Sequence, residues 1–168
     1  PEDRLHDGFL PKANVAQNLI LGFHRQAPYS KKGWINWPVV HAEVRKLISE
    51  YNIKTSGPEE IGGNLSGGNI QRVLIARAFS HPAKLLVAHN PTRGLDIPSM
   101  DFVYQKLNEH ASTGAATLLL SEDLDELLLI SHRIAVMYRG KVVGILPREK
   151  FEKYEIGRLM SGYDLESK

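Results

Sequence analysis

The chain has no cysteine in its 168 residues. That excludes a disulfide scaffold and any thiolate-held metal, and it fits a reducing compartment. No apolar run approaches the roughly 20 residues that a membrane-spanning helix needs, and no signal-peptide pattern is present. Charge of one sign is scarce too. The net charge is +2 and no Lys/Arg run stands out, which argues against a nucleic-acid partner. Also missing is any Gly-x-x-x-x-Gly-Lys-Ser/Thr, the loop that cradles phosphates. Neither Gly-x-Ser-x-Gly nor His-Glu-x-x-His occurs and the seven histidines are scattered, so no resident metal site is expected. At 42% hydrophobic the chain can still bury one core, or two small ones. Its first residue is Pro1 rather than Met, so it reads as a segment of something longer.

What is present divides near residue 80. Before it the pattern is mainly helical. Asn14 is placed to cap a short helix carrying Val15, Leu19 and Ile20. Residues 22–36 mix aromatic and basic side chains without period and read as a solvated loop; the sharper alternative is a docking surface for a partner. Asn36 and Pro38 open a longer helix with Val40, Val44, Leu47, Ile48 and Tyr51 inward. A glycine-rich loop over 53–65 then delivers a further helix.

After His81-Pro82 the grammar changes to strand, helix, strand, helix, strand, that of a parallel α/β layer. The run Leu85–Ala88 and the run Ala116–Leu120 read as strands buried on both faces. Asp96 caps the helix between them, with Met100, Val103, Tyr104, Leu107 and Ala111 inward. Asp123 opens a short helix to Ile130, and Ile134–Met137 gives a third strand. Arg139-Gly140-Lys141 then turns the chain into an antiparallel hairpin, followed by a weakly amphipathic tail.

The organising stretch is Asn64-Leu65-Ser66-Gly67-Gly68-Asn69-Ile70-Gln71-Arg72. Physically it is a helix start without a side-chain wall. Ser66 stands at the N-cap, Gly67 and Gly68 permit close approach, and Ile70, Val73, Leu74 and Ala78 form an apolar stripe. Free amides and the positive dipole end favour an anion such as phosphate. A bare Ser-Gly-Gly is an ordinary capped helix; this longer run is far more specific. It resembles the signature motif of ATP-binding-cassette (ABC) ATPases, which contacts the terminal phosphate of an ATP held by a partner cassette.

The resemblance extends from Pro1 to about Gly162. The segment Pro91-Thr92-Arg93-Gly94-Leu95-Asp96 looks like the family's D-loop, with Asp96 also the cap of the next helix. His89 and Asn90 occupy the positions of the aspartate that organises Mg²⁺ and the glutamate that polarises water. An imidazole is a poor magnesium ligand, and an amide cannot accept a proton. Glu122 stands where the family has its γ-phosphate-sensing histidine, and an anion there repels phosphate. The segment Pro1-Glu2-Asp3-Arg4 resembles the second-cassette Q-loop of sugar and nucleoside importers, with Glu2 at the glutamine position.

The resemblance implies an ABC-type P-loop NTPase fold lacking its N-terminal Walker A part. Residues 1–80 would be the helical subdomain, and 81–168 the C-terminal half of the RecA-like α/β layer. It implies part of a tandem importer subunit, a second cassette without intact catalytic groups at His89, Asn90 and Glu122. Ser66, Gly67, Gly68, Asn69, Gln71 and Asp96 would complete an ATP and Mg²⁺ site shared head to tail with another cassette. Permease subunits at the cytoplasmic face of the membrane are the further partners implied, with the protein peripheral and the isolated chain inactive. Two other readings are a non-catalytic docking module on the permease and a soluble ABC protein acting on nucleic acid. Near-neutral charge and the subfamily match count against the last.

Overall fold

In a computed structural model of the chain, residues 8–162 are described; Glu2 and the Q-loop expectation lie outside them. The chain divides into two compact units. One runs to Leu86 and takes in Thr92–Thr117; the other combines Val87–Pro91 with the chain from Leu118 onward.

The first unit is helical. Its α1 (Val15–Leu19) begins with a reciprocal cap: the Asn14 side chain accepts from the Gln17 amide, and the Gln17 side chain accepts from the Asn14 amide. α2 (Trp37–Glu50) starts with Pro38 in its first turn and buries Val40, Val44 and Leu47. α3 (Gly67–Phe79) packs chiefly against α1. Its buried face is Ile70, Gln71, Val73, Ile75 and Ala76, while Leu74 is half-buried and Ala78 exposed. The expected stripe through Leu74 and Ala78 is therefore rotated.

The glycine-rich loop before α3 is ordered by backbone pairing with the chain around the start of α1. Val15 and Ala16 donate to the carbonyls of Glu60 and Pro58, and Gly62 and Gly63 donate to those of Ala13 and Pro11, all at 2.8–2.9 Å. Gly62 is required by space: a Cβ there would lie 2.6 Å from the Phe9 ring, which is itself buried.

Residues 22–36 are not merely loop. They contain a hairpin, β1 (Ser30–Lys31) with β2 (Trp34–Ile35), turned by Lys32 and Gly33 at φ 51° and 86°. Two successive positive φ values match the twist of flanking strands. The Lys-Gly turn hides this hairpin from composition, because the usual signal is Asn-Gly or Asp-Gly.

α4 (Ile97–Ser112) is capped by Asp96, as expected, and buries Val103 and Leu107. Tyr51 at the end of α2 meets Phe102 edge-on at 6.1 Å, and Arg72 lies 4.3 Å over the Phe102 ring while donating to the Tyr51 carbonyl. Lys106 sits 4.8 Å over the Tyr51 ring. This stack of cations and rings joins α2, α3 and α4.

The second unit is built on a hairpin, β5 (Arg133–Tyr138) with β6 (Lys141–Pro147), turned by Arg139 and Gly140 at positive φ. Ile134, Val136 and Leu146 pack with Ile156 and Leu159 of α6 (Lys153–Met160) into its core. Leu124, Leu127 and Leu128 of α5 (Leu124–Ile130), the helix capped by Asp123, lie against them. Arg148 donates to the carbonyls of Leu128, Leu129 and Ser131, satisfying the end of α5.

β3 (Leu85–His89) and β4 (Ala116–Leu120) pair with each other and, among the described residues, with no further strand. They run in the same direction: Lys84 O accepts from Ala116 N, and Asn90 N donates to Leu120 O. The expectation of burial on both faces fails. Leu85, Val87, Leu118 and Leu120 are 58%, 60%, 54% and 42% exposed. In a two-stranded sheet each strand is an edge, and only alternate side chains find cover. β5 likewise pairs antiparallel with β6 rather than extending a parallel sheet.

Two measurements check this packing. Gly62→Ala is expected to lower unfolding stability by about 1–3 kcal/mol in urea, because the ring of Phe9 has no room to retreat. Burial, with the charges of Glu50 and Glu109 behind it, pushes the Tyr51 phenol from 10.0 up to about 12. A pKa raised on folding gives stability that is complete below the unfolded value and lost as pH climbs through the folded one. Stability should therefore fall between pH 10 and about 12, and Tyr51→Phe should flatten that interval in alkaline unfolding curves.

Candidate functional site

Ser66 occupies the N-cap position of α3 with extended backbone, yet its side chain makes no cap bond. Its Oγ instead accepts from Asn69 Nδ2 at 2.8 Å, and Asn69 Oδ1 accepts from the Lys54 amide at 2.8 Å. Asn69 thus ties the helix start to the loop behind it. The N-cap side chain therefore takes none of the first-turn amides of this 13-residue helix. Space in front of them is open: a Cβ at Gly67 would meet nothing within 4 Å, and one at Gly68 would meet only Ser99 Oγ at 3.6 Å. Within this chain no packing requires glycine at either position. A phosphate-sized anion fits such an end.

Asp96 belongs to the same unit. Its carboxylate accepts from the Ser99 amide at 3.0 Å and caps α4. The Ser99 hydroxyl and amide, together with the positive charge of Arg72, hold it below the usual carboxylate range, so it is an anion at neutral pH. Ser99 and Arg72 are the members that sequence reasoning passed over. Arg72 stood within the quoted motif, but only the fold shows it stacked on Phe102 with its charge felt by Asp96. Gln71, expected among the site residues, lies on the buried face of α3 at 6% exposure.

His89, Asn90 and Glu122 fall in the second unit. His89 and Glu122 are exposed; Asn90 is buried at 7%, with φ 44°. Asn90 Oδ1 accepts from the Glu122 amide at 3.2 Å, which brings the two positions together through the backbone. Asn90 Nδ2 is buried with no hydrogen-bond partner. The acceptor atom of the amide is used, so what remains is a donor. It can hold an acceptor oxygen and cannot take up a proton.

Among the described residues no group of three or more His, Cys, Asp or Glu stands where it could hold a metal. An exposed imidazole, a donor amide and one exposed carboxylate do not make the oxygen-rich set that Mg²⁺ requires. The residues fit phosphate at the start of α3 and do not fit magnesium at the end of β3.

Solved structures share the fold. The post-hydrolysis dimer of the ATP-binding cassette MJ0796 bound to ADP and Pi superposes with a TM-score of 0.68 at 20% identity, covering 85% of this chain and 60% of that one. The ADP conformation of MJ1267, an ATP-binding cassette of an ABC transporter, gives 0.65 at 22%, covering 90% and 60%. The fold is that of an ATP-binding cassette, in part.

Sequence relatives give the family. The nucleoside import ATP-binding protein NupA of Lactococcus lactis subsp. cremoris is 36% identical over 162 residues, 96% of this chain and 32% of that protein. The guanosine import ATP-binding protein NupO of Bacillus subtilis is 35% identical with the same coverage. The xylose import ATP-binding protein XylG of Histophilus somni is 36% identical over 84% of this chain and 28% of its own length. The chain belongs to the ABC ATPases, and it spans about a third of the length of these relatives. No protein-family model matches it.

The Ser66 side chain leaves the helix uncapped, and that has a measurable consequence. Losing a serine cap ordinarily costs about 1 kcal/mol. Ser66→Ala is expected to cost less than about half of that in urea unfolding, with Asn69 still bonded to Lys54.

Proposed function

We propose that the chain is the degenerate second cassette of an ABC importer's ATP-binding subunit, one serving simple sugars or nucleosides, and that it lends α3's open start to an ATP site on a partner cassette. The observation that carries this is the uncapped, glycine-lined N-terminus of α3, where a Cβ at Gly67 would meet nothing and one at Gly68 only the Ser99 hydroxyl among the described residues. Ser66, Gly67, Gly68 and Asn69 form that surface, and Asp96 and Gln71 position it from the D-loop and from within. Residues 1–80 then act as the helical subdomain and 81–168 as the C-terminal part of the RecA-like layer. The partner cassette pairs head to tail and supplies the P-loop, the β- and γ-phosphate contacts and the Mg²⁺ ligands.

His89, Asn90 and Glu122 mark this half as the poor hydrolytic site. With Asn90 held as a donor by the Glu122 amide, no proton acceptor stands at the water-polarising position. The names of the relatives support sugar and nucleoside import, and a permease at the cytoplasmic face of the membrane is the partner that import demands.

In the complete subunit Gly68→Asp separates fold from function. The new side chain has ordinary contact with Ser99, and a carboxylate in the first turn favours the helix. It also fills the anion site with like charge. Hydrolysis should fall by about a hundredfold or more, with unchanged circular dichroism and thermal midpoint. Near-normal turnover in a folded mutant would sink the proposal.

A further inference from the structure

The segment between Asp7 and Glu43 holds Lys12, Arg25, Lys31 and Lys32 but no Asp or Glu. Its hairpin is rooted in the helical unit. Tyr29 is buried and stacks on His81 at 6.0 Å, and its carbonyl accepts from the Asn36 amide at 2.8 Å. The tip is exposed. Lys31 and Trp34 are direct cross-strand partners, Lys32 and Gly33 make the turn, and Trp34 is 82% exposed. An indole normally buries most of its surface or finds a mixed polar and apolar environment. Here the turn leaves it exposed beside two exposed lysines.

We propose that this hairpin tip docks on an anionic phospholipid surface, with the Trp34 ring at headgroup level and Lys31 and Lys32 on the phosphates. The occupant follows from composition and charge. Trp beside Lys is the pairing that settles at a membrane–water interface, where the ring is half wet and the lysine stems lie along apolar surface. The lack of acids from Gly8 to Ala42 means that no carboxylate of this segment opposes an anionic leaflet. The nearest acid in sequence, Glu43, lies on α2 and is paired with Lys46 at 3.2 Å. A protein partner would need a pocket shaped to a two-residue turn, whereas a lipid surface needs only charge and an interfacial depth.

The test uses the full chain as Trp37→Phe, which leaves Trp34 the only tryptophan, with vesicles of phosphatidylcholine alone or mixed with phosphatidylglycerol. Mixed vesicles should float the protein, shift Trp34 emission to the blue and shield it from acrylamide, with binding weakened by salt. Vesicles of phosphatidylcholine alone should bind far less, which separates this tip from the exposed apolar strands. Each lysine near an anionic surface is worth about a fivefold change in affinity, so Lys31→Glu with Lys32→Glu should cost about 25-fold or more. Lys32→Asn removes one charge while suiting the turn, so it should fold at least as well and bind about fivefold more weakly. Equal flotation by both vesicle types, unshifted Trp34 emission, or binding retained after charge reversal would overturn the proposal. So would variants that spare vesicle binding yet weaken capture of a detergent-solubilised permease, which would assign the tip to protein.

Discussion

The helical unit depends on one buried amide. Asn18 is fully enclosed, and its side chain accepts from the Leu10 amide at 2.8 Å while donating to the carbonyls of Leu10 and Asn14 at 3.0 and 3.1 Å. Its own carbonyl accepts from Arg77, whose other nitrogen reaches the Gly8 carbonyl at 2.6 Å. A buried amide left unpaired costs about 1–3 kcal/mol, so this network holds as a set or is lost as one. It closes the segment from Gly8 to α1 into a fixed loop. That loop backs Gly62 and Gly63 at one end and, through Arg77, grips α3 at the other. The start of α3 therefore inherits its position from a polar group several turns away.

Burial makes the same arrangement expensive to rebuild. Arg77 is desolvated enough to lower its pKa, and among the described residues carbonyl oxygens receive it. Carbonyls bring no charge of their own, so the guanidinium is held by geometry. The stack of Tyr51, Arg72, Phe102 and Lys106 does similar work at the other side of α3. Ahead of these two anchors, Gly67 and Gly68 meet little packing demand from the described residues. Both are free to answer to whatever faces them from outside.

Local chemistry made much of the fold legible. Asn14, Asp96 and Asp123 cap where their spacing predicts, and the short apolar runs became β3 and β4 with nearly the expected ends. What eluded the sequence depends on partners distant along the chain or outside it. Apolar runs cannot say whether a neighbouring strand exists, so exposure of Val87 and Leu118 was not foreseeable. Ser66 carries the right side chain for a cap but spends it on Asn69, a choice made by the Lys54 loop. Of the site, the open helix start was readable from residue types. The locking of Asn90 as a donor was not, since it requires knowing that the Glu122 amide lies beside it.

The open faces of β3 and β4 set how this polypeptide behaves when nothing covers them. Val87, Leu118 and Leu120 stand along strands whose outer edges are unpaired among the described residues, the combination from which intermolecular sheets grow. With a net charge of only +2, long-range repulsion between copies is weak. Colloidal behaviour is then governed by the same surface that a neighbouring strand would hide. Solubility in dilute buffer becomes a direct readout of whether the sheet has found its neighbour.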